Sequence, residues 1–348
     1  MKFQFLLITF LFFYTGCSKE KKYSDHLIQK EETHFKNFRQ LTFSGENAEA
    51  YFSADGENLI FQAHDGDSLC DQIYIMDIAS GSTELVSTGA GVTTCSFFKY
   101  PNDDGIIYAS THLVDPDCPP KPDFSQGYIW KLYPGYDIFQ AAVDGSNLQR
   151  LTDTPGYDAE ATFSFDGKKI IYTSLASGDL ELWSMNSDGS EKQQLTSRMG
   201  YDGGAFYNYD GSKIVWRAYY PETDQEIADY KVLLAENSIR PMALQLWTMN
   251  SDGTNKKQVT NNHAANFGPF FFPKRDRIIF SSNMHDKKGR DFDLYAIDAD
   301  GTGLERITYF DGFDGFPMFS PDGKFLVFAS NRNQKKHGDT NIFICEWK

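Results

Sequence analysis

Aromatic and apolar residues recur along this chain in short alternating runs, each closed by an Asp-Gly pair and resumed a few residues later by a second apolar run. The clearest copies are Phe163-Ser164-Phe165-Asp166-Gly167 before Ile170-Ile171-Tyr172, and Phe319-Ser320-Pro321-Asp322-Gly323 before Phe325-Leu326-Val327-Phe328. Alternation with period two marks strands, and Asp-Gly between two such runs marks a tight hairpin turn in which glycine supplies positive φ. Related copies begin at Phe52-Ser53-Ala54-Asp55-Gly56 and Tyr207-Asn208-Tyr209-Asp210-Gly211, with Phe271-Phe272-Pro273-Lys274-Arg275-Asp276 a degenerate fifth. A second turn follows in register at Asp144-Gly145, Asp188-Gly189, Asp252-Gly253 and Asp300-Gly301. After it comes a short strand ending in Leu151-Thr152, Leu195-Thr196, Val259-Thr260 or Ile307-Thr308.

Four strands per unit at a period of about forty residues predict a β-propeller. Six unit starts, near Asn47, Thr94, Asp158, Asp202, Asn266 and Asp314, predict six blades in an all-β chain. The sixth unit ends in its third strand, Asn341-Ile342-Phe343-Ile344-Cys345, while a spare outer strand, Arg39-Gln40-Leu41-Thr42, precedes the first unit. The N-terminal segment should therefore complete the last blade, closing the ring and removing its exposed sheet edges.

The combination F-S-x-D-G-K, an apolar strand and D-G-x-x-x-x-L-T resembles the TolB-like propeller repeat, and the resemblance runs from about Arg39 to the end of the chain. It implies an extracytoplasmic binding scaffold. Related repeats also occur in an oligogalacturonate lyase family and in the propellers of prolyl peptidases, but no G-x-S-x-G nucleophile elbow is present and a peptidase role is not expected.

Lys2 followed by the apolar run from Phe3 to Tyr14 has the form of a secretory signal, too short for a comfortable membrane span. Thr15-Gly16-Cys17 then resembles the lipobox of bacterial lipoproteins, which makes Cys17 the expected lipidation site. The expected organisation is a lipoprotein signal over 1–17, a flexible polar tether over 18–37 and the propeller over 38–348. Resemblance to Gram-negative lipoproteins implies the outer membrane, facing the periplasm or the cell surface, with membrane contact through the lipid alone. With 48 acidic and 33 basic residues the net charge is −15, which argues against nucleic acid as a partner. A monomer is expected, binding an envelope protein, peptide or glycan. In an oxidising compartment Cys70, Cys95 and Cys118 are disulfide candidates, with Cys118 bridged to either of the other two and Cys345 a small buried hydrophobe.

Blade geometry sorts the remaining residues by face. Both Asp-Gly turn series emerge on one face, and the irregular loops on the other, where function concentrates. The second blade inserts residues 110–137 there and the fourth blade residues 217–246. Within the latter, Thr223 and Glu226 form a capping box, and Ile227, Tyr230, Lys231 and Leu234 follow helical spacing, which predicts a helix of about three turns. On the same face Asn47, Asp158, Asp202, Asn266 and Asp314 form a column expected to ring the channel mouth, with Glu160 just below. Their oxygens would suit a divalent cation or a peptide or sugar, although no cofactor is required, and the same residues are ordinary backbone caps in loops. Arg217 and Arg332 break the repeat and offer grips for a carboxylate. The preferred function is ligand binding. The alternative is a metal-dependent lyase using His112 or His263 with the channel carboxylates.

Overall fold

A computed structural model describes residues 23–64, 70–120, 122–125 and 127–348, so Cys17 and the signal segment lie outside the described residues. Six antiparallel four-stranded sheets form the blades of a propeller. Blade 1 comprises Glu46–Phe52, Asn58–His64, Gln72–Asp77 and Thr83–Leu85, and blade 2 Thr93–Phe98, Ile106–Ser110, Asp137–Ala141 and Gln149–Arg150. Blade 3 runs Asp158–Phe163, Lys169–Ser174, Glu181–Asn186 and Gln193–Gln194, and blade 4 Tyr201–Tyr207, Lys213–Tyr219, Gln245–Asn250 and Lys257–Gln258. Blade 5 is Asn266–Phe271, Arg277–Ser282, Asp293–Asp298 and Glu305–Arg306. Blade 6 takes three strands from the end of the chain, Asp314–Phe319, Phe325–Ser330 and Asn341–Trp347, and its outer strand, Phe35–Gln40, from the beginning.

The closure expected from the spare Leu-Thr copy is therefore present, but it starts earlier than the sequence suggested. Residues from Ser24 onward are packed on the ring and do not form a free tether. The Ser24 N–H donates to the Phe38 carbonyl at 2.6 Å and the Asp25 carboxylate accepts the Phe38 N–H at 2.7 Å. Glu32 is buried against Arg332 of blade 6. A polar composition concealed this docking because its anchor is a charged residue.

The Ser-x-Asp-Gly turns are longer than a two-residue hairpin. The Ser53 carbonyl accepts the Gly56 N–H at 3.0 Å, Asp55 Oδ1 accepts the Ser53 hydroxyl at 2.6 Å, and Gly56 has φ +75°. Gly167, Gly211 and Gly323 repeat that conformation at +69°, +73° and +75°. Between blades the innermost strands bury Phe52, Phe97, Phe163, Phe270 and Phe319 almost completely, each contributing about 1.5–3 kcal/mol of apolar burial.

Each innermost strand carries a register shift against its neighbour, two residues past its first polar position. Such a bulge inserts one extra residue and re-aims its side chain. The inserted positions are Glu49, Cys95, Glu160, Gly204, Gly268 and Phe316, all at φ between +52° and +58°. This register makes Thr93, not Thr94, the blade 2 counterpart of Asn47 and Asp158.

The two insertions join each other over blade 3. Trp130–Lys131 pairs with Ser238–Ile239 in a two-stranded ribbon, and the Leu132 N–H donates to the Asn237 carbonyl at 2.8 Å. The predicted helix is present as Asp224–Ala235 with the Thr223/Glu226 capping box formed. Its buried Tyr230 hydroxyl reaches Asp179 Oδ1 at 2.5 Å and the Gly200 carbonyl at 2.6 Å, fastening the helix to the loops of blade 3. Cys118 bridges to Cys70, which pins the blade 2 insertion to blade 1, while Cys95 and Cys345 are free thiols. Among the described residues no helix is long and apolar enough to cross a membrane.

Candidate functional site

Beneath the joined insertions lies a cavity of about 1320 Å³. Its walls come from Tyr128, Trp130, Tyr133 and Tyr136 of the blade 2 insertion, Pro241–Leu244 of the blade 4 insertion, and the blade 5 loops around His263 and Asp286. Its floor is a narrow axial cleft on which all six bulge residues converge. A non-glycine residue in the left-handed region costs on the order of 1 kcal/mol, and such strain gathers where a side chain must point at one place. Four of the six bulges accept that cost, with Glu49, Cys95, Glu160 and Phe316.

The remaining two bulges are glycines, and at Gly204 the reason is visible. A Cβ there would stand 2.1 Å from Arg217 Nη1, and one at Gly203 would stand 2.2 Å from Glu160 Oε2. The cleared space holds a buried ion pair in which Arg217 Nη2 donates to Glu160 Oε1. Glu160 Oε2 also accepts from the Thr173 hydroxyl at 2.7 Å and the Gly204 N–H at 2.9 Å, and the Tyr201 hydroxyl donates to Oε1 at 3.0 Å. The guanidinium lies 5.0 Å from the Trp130 ring and 5.6 Å from that of Tyr201, within cation–π range. Burial opposes its charge, but the Glu160 carboxylate outweighs that and holds Arg217 firmly protonated.

Glu49 faces the same floor from blade 1. Burial pushes its carboxyl up to about 7, partly opposed by Arg217 and the Cys95 thiol. Burial, then Glu49 and Glu160, push the Cys95 thiol well up, so it is held as a neutral thiol and not as a thiolate nucleophile. The floor is thus asymmetric, with titratable groups from blades 1 to 4 on one side and Gly268 and Phe316 on the other.

Of the residues singled out from the sequence, Asn47, Glu160 and Arg217 line the cavity. The other members of the column do not ring the mouth. Asp158 accepts from the Ser174 hydroxyl, and Asp202 accepts from Trp216 Nε1 and the Tyr220 hydroxyl, both at 2.6 Å. Asn266 donates to the Leu244 carbonyl at 2.7 Å, and Asp314 accepts from Arg332 at 2.6 Å. Even Asn47 spends its amide on the Ser44 and Thr340 carbonyls at 2.8 and 2.9 Å. Each member lies two residues before its bulge and bonds a neighbouring strand or loop. The oxygen ring expected for a divalent cation is therefore not assembled from these positions.

Arg332 is likewise away from the cavity, enclosed by Glu32, Asp314 and the rings of Phe38, Phe310 and Phe328. His112 packs at a tilt on Phe139 with ring centroids 4.5 Å apart, bonds Ser110 Oγ at 2.9 Å, and has its pKa lowered by burial. His263 does line the cavity. The aromatic run Tyr128-Ile129-Trp130, which the sequence places in the second-blade insertion, lines the cavity. Sequence reasoning missed Glu49 and Tyr201. It also missed the grouping of His285 Nε2 with Asp291 at 3.2 Å and Asp293 at 3.3 Å, although Asp293 already carries Arg306.

No family model and no curated protein matches the chain. Solved structures do. A putative TolB from Agrobacterium tumefaciens is similar at TM-score 0.59 and 19% identity, covering 87% of this chain and 91% of that one. TolB from Acinetobacter baumannii is similar at TM-score 0.56 and 15% identity, covering 87% and 64%. An oligogalacturonate lyase in complex with manganese is similar at TM-score 0.55 and 14% identity, covering 89% and 79%. What these likenesses establish is the architecture: the chain has the fold of the TolB-like six-bladed β-propellers.

Proposed function

We propose that this protein is a lipid-anchored envelope propeller that binds a protein, peptide or glycan in the cavity under its two insertions. One observation carries this reading. The repeat is broken where the insertions meet, and there two glycines are cleared around a buried Glu160–Arg217 pair at the floor of an aromatic-walled cavity. Scaffold needs do not require that arrangement, because the other blades close without it. Concave, largely apolar pockets with a few convergent polar groups are the usual form of ligand sites. Anchoring through Cys17 would leave the ring free to present this face. The test is capture from an envelope fraction by wild type and by Ala265→Trp, which fills the cavity from its blade 5 wall. Equal capture by both would defeat the reading.

A metal-dependent carbohydrate lyase is the competing reading, favoured by His263 on the cavity wall. Metal analysis of the purified protein separates the two, since a stoichiometric transition metal would support the lyase.

A further inference from the structure

Two sources of positive charge meet at the cavity, one at its floor and one at its rim. At the floor, Arg217 is 8% exposed, and its buried Nε has no hydrogen-bond partner among the described residues, although Nη2 is held by Glu160. Buried polar groups are normally satisfied, so an incompletely satisfied guanidinium on the lining of a cavity marks a place for an acceptor from outside. At the rim, Lys287, Lys288 and Arg290 stand exposed on a blade 5 loop that also lines the cavity. Asp286 shapes this loop by accepting the backbone N–H groups of Lys288, Arg290 and Asp291 at 3.0, 2.8 and 3.1 Å. The three basic side chains themselves enter no ion pair among the described residues. In a chain of net charge −15, these three side chains form a basic patch on one rim of a cavity whose opposite side carries Glu46 and Asp71.

The mouth also has an uncovered apolar border: Phe124, Tyr128 and Met242 are 49%, 64% and 61% exposed. Close to the floor, burial pushes the Glu49 carboxyl up to about 7, which lessens its repulsion of an anion there.

We propose that the cavity takes the C-terminal end of an acidic peptide chain, its terminal carboxylate against the Arg217 guanidinium and its acidic side chains against Lys287, Lys288 and Arg290. Apolar side chains of the same peptide cover Phe124, Tyr128 and Met242. This deepens the binding reading above and rests on it. A peptide is favoured over an acidic glycan because the mouth offers a bare thioether beside its aromatic rings, and only the peptide brings aliphatic side chains to cover it.

The experiment is fluorescence anisotropy with the full chain in detergent. The probes are a labelled pool of acidic, Leu- and Phe-containing decapeptides with free C-termini, the same pool amidated, and labelled oligogalacturonate. The free-carboxylate pool should bind, and amidation should weaken it about tenfold or more, as expected for loss of a charged hydrogen bond. The exposed-loop variant Lys287→Ser/Lys288→Ser/Arg290→Ser should keep the wild-type melting temperature while weakening binding and flattening its salt dependence. Equal binding of free and amidated pools would overturn the proposal, as would no effect of the triple variant. Binding of oligogalacturonate alone would also overturn it, yet if Ala265→Trp abolished that binding the cavity would remain the binding site. Failure of the broader reading is the separate outcome in which envelope capture ignores Ala265→Trp.

Discussion

Gly204 and Gly268 occupy the same bulge position in adjacent blades at φ +58° and +56°, which makes them a matched pair for asking whether the axial cleft is built around Arg217. Alanine at either site meets the same backbone cost, about 1–2 kcal/mol for a left-handed L-residue. At Gly268 the new Cβ would meet Phe316 Cα at 3.3 Å, a contact that small shifts relieve. At Gly204 it would fall 2.1 Å from Arg217 Nη1, so the guanidinium must leave. Glu160 would then be a buried carboxylate without its cation, and breaking a buried pair in that way costs about 3–5 kcal/mol. Gly268→Ala should therefore destabilise by about 1–2 kcal/mol, and Gly204→Ala by at least about 2 kcal/mol more. Urea unfolding followed by tryptophan fluorescence measures both. An Arg217→Met background adds a second check, because the extra cost of Gly204→Ala should disappear there. Equal destabilisation of the two glycine variants, or strict additivity with Arg217→Met, would refute the reasoning.

Arg332→Met should destabilise by about 3–5 kcal/mol in the same assay, because it strands the fully buried side chains of Glu32 and Asp314. Cys118→Ala opens a bridge closing a 48-residue separation, for which chain entropy gives up to about 4 kcal/mol, and limited proteolysis should then cut first in the released insertion. A carboxyl raised in the folded state binds more protons there than in the unfolded chain, so Glu49 contributes stability below pH 4.5 that is lost as the pH rises through about 7. Melting temperatures taken from pH 4.5 to 8 should show Glu49→Gln with a shallower decline than wild type.

The scaffold was legible because its chemistry is local and repeated. Each Asp-Gly turn, each Leu-Thr strand end and the Thr223/Glu226 cap is fixed by residues a few positions apart, and the N-terminal copy of the outer strand betrayed the ring closure. The column from Asn47 to Asp314 was also legible, but as a structural device: residues that recur in every blade serve a need that recurs in every blade. The bulges were not legible, since one inserted residue in the left-handed region has no fixed type and here is Glu, Cys, Gly or Phe. Only the doubled Gly203-Gly204 hinted at a close approach. Pairing across blades was equally hidden, because Glu160 and Arg217 lie 57 residues apart and meet only when blades 3 and 4 pack together. The docking of residues 24–34 escaped for a related reason, as its anchor Glu32 looks like solvent-exposed charge until Arg332 is placed beside it.

The central claim is that ligand engages the insertion-bearing face. Site-specific photocrosslinking in the native envelope tests it most directly, with the crosslinking amino acid placed at Tyr128 on the cavity rim or at Asp188 or Asp252 on the opposite turn face. Crosslinked adducts from Tyr128 that vanish in Ala265→Trp, with none from Asp188 or Asp252, are the predicted result. Adducts from the turn face and none from Tyr128 would contradict the account.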